Sequence, residues 1–108
     1  MDRKEAAKQF KARKVPKGVF AVRCTATGEE WVDSSPNLEA ARNGAWFQLR
    51  NGLHRDRKLQ SEWNARGEEA FEFEVLETLD DDVPPLNLRD LLEEKKGAWA
   101  ARRGALRL

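Results

Sequence analysis

The residues best placed for chemistry are bases. Arg42, Arg50, Arg55, Arg57, Lys58 and Arg66 fall between positions 42 and 66, with the one histidine of the chain, His54, among them. Arginine grips phosphate through paired, charge-assisted hydrogen bonds, so such a set could hold a phosphodiester backbone with steep salt dependence. The same cations could instead pair with the chain's own acids, in the strand-like segment Phe71–Val75 and the loop Asp80–Asp82. His54 could touch a phosphate, or simply stand exposed in a basic loop. Trp31, Trp46, Trp63 and Trp99 could stack on bases, but their spacing suits core positions better. Cys24 is the only cysteine, which forbids an internal disulfide and a multi-cysteine zinc site. On a strand it reads as a small buried hydrophobe.

These residues must be carried by one small domain, since the chain has 108 residues and a domain takes roughly 100–200. It is 40% hydrophobic and 36% charged, against roughly 25% charged in an average globular protein. A compact core under a densely charged surface follows. No apolar run approaches the roughly 20 residues of a membrane helix, and Met1 to Lys14 has no apolar centre. A cytoplasmic protein without a membrane partner is the expectation. The formal charge of +1 is a cancellation of blocks. Residues 1–17 hold seven bases and two acids, residues 42–66 six bases and two acids, and residues 95–108 five bases and no acid. Residues 67–94 oppose them with eleven acids against Arg89 alone. That asymmetry allows a basic binding face opposed by an acidic one, and the acidic block could itself meet a basic protein partner.

Spacing predicts the elements. Good helix formers occupy residues 3–14, and Pro16 ends that helix. Gly18 to Cys24 is β-rich and apolar, Gly28 marks a turn, and Trp31-Val32 resumes a strand, which makes a hairpin. Ser35 is the expected N-cap of the next helix, with Pro36 at its first position. Leu38, Ala41, Ala45, Trp46 and Leu49 then share one face, and Asn51-Gly52 stops it. A further helix runs from about Asp56 to Ala65, with Leu59 and Trp63 on its buried side and Gly67 as its cap. Phe71 to Val75 alternates apolar and acidic, as a half-buried strand does. Asn87 can cap a last helix in which Leu88, Leu91, Leu92 and Trp99 keep a 3–4 spacing.

In this order the motifs resemble the GIY-YIG nuclease superfamily. Gly18-Val19-Phe20 stands where that family has Gly-Ile-Tyr, and Trp31-Val32-Asp33 where it has Tyr-Ile-Gly. Ser34-Ser35-Pro36-Asn37-Leu38 is similar to its opening of the first helix. Gly52 and His54, Leu59-Gln60, Trp63-Asn64, Gly67, and Phe71, Phe73 and Val75-Leu76-Glu77 look like its second helix and third strand. The likeness covers about residues 18–99 and implies an α+β fold: a small three-stranded antiparallel sheet flanked by helices, in the order (α)ββααβα. Around it stand a basic N-terminal helix at 1–17, a domain at 18–101 and a basic tail at 102–108.

The resemblance implies DNA phosphodiester hydrolysis with one divalent metal, Mg²⁺ or Mn²⁺, a hard ion that prefers oxygen ligands. Two tyrosine positions fall on Phe20 and Trp31, which have no oxygen to titrate. The second-strand glycine is Asp33, the helix arginine falls on Ala41, and a frequent histidine falls on Ala45. Arg42 is adjacent, but one residue is a 100° rotation on a helix. Glu94, five residues before Trp99, takes the place of the metal-binding glutamate. It competes with a reading as one more solvated acid beside Asp90 and Glu93, and with a two-carboxylate site shared with Asp33. The degenerate catalytic positions are thus Glu94, Phe20, Trp31 and Arg42, with the six bases and His54 as nucleic-acid contacts. The expected function is DNA binding with impaired or lost hydrolysis. The alternatives are an active metal-dependent endonuclease using Glu94 with Arg42 or Asp33, and a protein-interaction module using the acidic 67–94 segment.

Overall fold

The computed structural model describes residues 15–80 and 82–108. The helix expected at 3–14 lies outside them. β1 (Gly18–Cys24) and β2 (Glu30–Ser35) form the hairpin, and Gly28, at φ +79°, supplies the left-handed turn between them. β1 pairs antiparallel with both β2 and β3 (Phe71–Thr78). As the strand between two neighbours, it is nearly all buried. Its apolar run follows from having helices on both faces of the sheet.

Alternation divides the core in two. Phe20, Val22, Cys24, Trp31 and Phe71 pack with Leu38 and Leu49 of α1 (Leu38–Arg50) and with Leu59 and Trp63 of α2 (Arg57–Arg66). Val19, Ala21 and Val32 face the other way, onto Ala100 and Trp99 of α3 (Pro85–Arg103). Among the described residues, no helix is long and apolar enough to cross a membrane.

The sheet is not the purely antiparallel three-stranded one expected. After Gly104, a left-handed residue at φ +61° that ends α3, Leu106–Arg107 forms β4 parallel to β2. The order is β3-β1-β2-β4. Residues 102–108 are therefore the end of α3 and an edge strand, with Leu108 N donating to the Val32 carbonyl at 2.8 Å. Two helix starts also move. Ser35 stays in β2 paired with Gly18, so Asn37 caps α1 by accepting from Ala40 N at 3.0 Å. α3 begins at Pro85, two residues before the expected Asn87 cap.

Candidate functional site

A cleft of about 340 Å³ opens where β1, β2 and α1 meet. Phe20 and Val22 come from β1, and Asp33, Ser34 and Ser35 from β2. Ala41, Gly44, Ala45 and Gln48 come from one face of α1, His54 and Arg55 from the loop before α2, and Leu108 from the residue after β4. Six positions singled out in the sequence, Phe20, Asp33, Ala41, Ala45, His54 and Arg55, thus share one cavity. The four α1 residues follow i, i+3, i+4, i+7 spacing, the geometry of one helix face. All but Gln48 are Ala or Gly, so this wall carries few groups able to hold a phosphate.

Phe20 stacks on Phe73 with ring centroids 4.7 Å apart and is 4% exposed, an edge of the core rather than a reactive group. Trp31 is fully buried and does not line the cleft. Its indole Nε1 has no hydrogen-bond partner, which costs about 1–3 kcal/mol. The chain contains no tyrosine, so no phenol elsewhere can take over these two positions. Arg42 points out of the cleft into a separate groove with Trp46, Glu72 and Phe73. The 100° step between Ala41 and Arg42 therefore separates them onto different surfaces.

Glu94 is exposed and is not among the residues lining the cleft. The buried face of α3 is Leu92, Lys96 and Ala100, and a residue two positions from Leu92 and Lys96 lies about 200° away. The side chain that reaches Asp33 from α3 is Lys96, which the sequence reading did not single out. Its ammonium lies 3.5 Å from Asp33 Oδ1 and donates to Glu93 Oε1 at 3.0 Å and to the Leu108 main-chain oxygen at 3.1 Å. Asp33 also accepts from Arg55 at 3.1 Å and from Ser34 N at 2.8 Å. Lys96 and Arg107, in that order, hold the Glu93 carboxyl below its usual range.

His54 is fixed by a hydrogen-bond chain that explains the Leu59-Gln60 and Trp63-Asn64 pairs. Leu59 and Trp63 are core. The buried Gln60 amide accepts from His54 N at 3.0 Å and donates to the Leu49 carbonyl and to Asn64 Oδ1, both at 2.9 Å. Loop, α1 and α2 are tied together through one side chain. His54 Nδ1 accepts from Asp56 N at 3.0 Å, which leaves the neutral ring's proton on Nε2. Burial pushes its pKa below 6.5.

Most of the expected phosphate contacts have acid partners: Arg50 with Glu68 (2.6 Å), Lys58 with Glu29 (2.7 Å), Arg66 with Glu62 (2.7 Å), and Arg55 with Asp33. None of these partners belongs to β3 or the Asp80–Asp82 loop. Arg42 and Arg57 make no ion pair among the described residues. The acids of β3 are held elsewhere, Glu74 by Arg23 and Arg103, and Glu77 by Lys95 and the Trp99 indole.

No protein-family model matches the chain, and no curated protein does. Among solved structures, the chain is similar to the catalytic domain of the homing endonuclease I-TevI at TM-score 0.72 and 23% identity, covering 85% of this chain and 97% of that one. A mutant of the I-TevI catalytic domain, described as an intron endonuclease, matches at TM-score 0.71 and 23% identity, covering 83% and 86%. The chain has a GIY-YIG-like fold.

Within the GIY-YIG-like frame, the cleft's donor set does not fit a divalent ion. Such an ion needs several oxygens turned toward it. Asp33 is taken up by Arg55, Lys96 and a backbone amide, and Glu93 by Lys96 and Arg107. Among the described residues, no group of three or more His, Cys, Asp or Glu could hold a metal.

Proposed function

We propose that this domain binds nucleic acid, DNA in preference to RNA, through a nuclease-like surface whose phosphodiester hydrolysis is impaired or lost. The fold likeness to the catalytic domain of a homing endonuclease supports nucleic acid as the partner class. The carrying observation is the content of the cleft: Phe20 and Ala41 line it where a phenol and a cation would be needed, and its Asp33 is already paired with Arg55 and with Lys96 beside it. Hydrolysis needs a group to take a proton from water, a cation on the scissile phosphate and stabilisation of the developing charge. His54 holds its proton at Nε2 and can donate it in a hydrogen bond to a phosphate, while its Nδ1 is taken by Asp56 N, and Arg55 can meet a phosphate by exchanging its exposed partnership with Asp33. Binding and orienting a backbone are thus within reach, and an activated nucleophile is not. Arg42, Arg57 and the exposed Arg50 and Lys58 extend the contact surface, since surface ion pairs are weakly held and exchangeable.

The test is gel retardation of duplex and single-stranded DNA and RNA at low salt, beside incubation of supercoiled plasmid with Mg²⁺ or Mn²⁺. DNA should be retarded and the plasmid left intact. If no nucleic acid shifts, the binding reading falls and the acidic segment as a protein-docking surface takes its place. If plasmid is nicked and Glu94→Ala abolishes the nicking, the domain is an active endonuclease.

A further inference from the structure

Three oxygens from three separate pieces of chain converge on one point at the rim of the cleft. They are Asp33 Oδ1 from β2, Glu93 Oε1 from α3, and the Leu108 main-chain oxygen just beyond β4, at 3.5, 3.0 and 3.1 Å from Lys96 Nζ. Only 8% of the Lys96 side chain is exposed. A lysine is almost never this buried unless it is paired, and an ammonium has three hydrogens to give. Here two are given to Glu93 Oε1 and the Leu108 main-chain oxygen, and Asp33 Oδ1 lies within ion-pair distance of the same ammonium. Two carboxylates and a main-chain oxygen face one centre, the kind of atoms a hard cation takes, and they do not fit a divalent ion here because the ammonium already occupies that centre.

We propose that Lys96 is the resident cation of the cleft: its ammonium fills an oxygen-lined cation site, ties α3, β2 and β4 together, and leaves the domain independent of divalent metal. The site is latent for metal because an internal side chain holds it at an effective concentration that a dissolved ion cannot match. Without the ammonium, Asp33 would keep Arg55 and Glu93 would keep Arg107, but the oxygens turned toward Lys96 would face one another with no cation between them. A divalent ion would draw the same oxygens closer, to the roughly 2.0–2.6 Å range of such bonds. The inference does not rest on nucleic-acid binding, and its failure would leave that reading standing.

The probe is MnCl₂ alone, followed by loss of the free-ion paramagnetic resonance signal and by thermal unfolding in Mn²⁺ against EDTA. Wild-type protein should ignore Mn²⁺ in both measurements. Lys96→Ala should unfold at lower temperature in EDTA, bind one Mn²⁺ at least about tenfold more tightly than wild type because ligand charge is no longer neutralised, and recover part of its Tm. Adding Asp33→Asn to Lys96→Ala should abolish the recovery. Lys96→Gln keeps much of the length and two donors of the side chain without its charge, so it covers the case in which Lys96→Ala does not fold; it too should gain a Mn²⁺-dependent Tm. Equal Mn²⁺ affinity in wild type and variants, or a Lys96→Gln protein whose Tm ignores Mn²⁺, would overturn the proposal.

Discussion

His54 shows how a single residue couples the cleft to pH. Its ring is partly buried, its Nδ1 is committed to Asp56 N, and burial holds its pKa below 6.5. The unfolded chain therefore takes up a proton at higher pH than the folded one does. Linkage then makes this contribution to stability complete above about pH 6.5, and it shrinks as pH falls from there toward the lower folded pKa. The urea midpoint should drop between about pH 7.5 and 5.5, and His54→Asn, whose amide oxygen can replace the Nδ1 acceptor, should flatten that slope. The carboxylates held low, Glu29, Glu30, Glu68, Glu77 and Glu93, lose their contribution only below their ordinary 4.5, so the two pH windows are separate. An unchanged slope in His54→Asn would show that another group carries the effect. The cleft positions of Phe20, Asp33, Ala41, Ala45 and His54 were readable from the sequence because each sits in a motif with fixed spacing. Lys96 was not, because Glu93, Glu94, Lys95 and Lys96 run consecutively and only helical phase separates them. The phase was available: Leu92 and Ala100 lie four residues on either side of Lys96, which puts it on the buried face and Glu94 off it.

At the scale of elements, the hairpin and its junction with β3 depend on Gly18. A Cβ built there would stand 1.9 Å from the Glu77 carbonyl oxygen, far inside van der Waals contact. The glycine that opens the Gly18-Val19-Phe20 motif is thus needed for close strand approach, just where the β1–β3 register shifts between Val19 and Phe20. Gly18→Ala should cost about 1–3 kcal/mol, as overpacking against fixed backbone does. Chemical denaturation would measure it, against Gly44→Ala, where a Cβ meets nothing within 4 Å. Gly44→Ala sits in the middle of an exposed helix face and should stabilise by about 0.5–1 kcal/mol. Helices α1 and α2 and strands β1 to β3 were legible through apolar period, Asp56, Gly28 and Gly67. β4 was not: two residues cannot display an alternation, and Leu106–Arg107 is recruited by the unpaired edge of β2 after Gly104 reverses the chain.

Across the whole molecule, the +1 charge conceals a division of labour between faces. On the α3 side, a partly buried cluster has Glu30 accepting from Arg103 at 2.7 Å and from Arg23 at 2.9 Å, while both arginines also meet Glu74. Such a cluster has no cation to spare for a ligand. Arg89 and Arg102 of the same helix have no ion pair among the described residues, and Arg102 lies over the Trp99 ring. On the α1–α2 side, the pairs are more exposed, and Arg42 and Arg57 have no ion pair among the described residues, so a polyanion would find its cations there. Removing one cation from a bound phosphate lowers the dependence of log affinity on log salt by about 0.9 for duplex DNA. Replacing Arg42 and Arg57 together by Gln should therefore weaken duplex binding and flatten that salt dependence by about two. Replacing Arg23 and Arg103 by Gln should instead lower stability, by leaving Glu30 uncompensated, with little change in slope. Salt titrations of both double variants, with folding monitored alongside, separate the faces: an equal fall in slope for the two would place the nucleic acid astride the sheet edge rather than on α1 and α2.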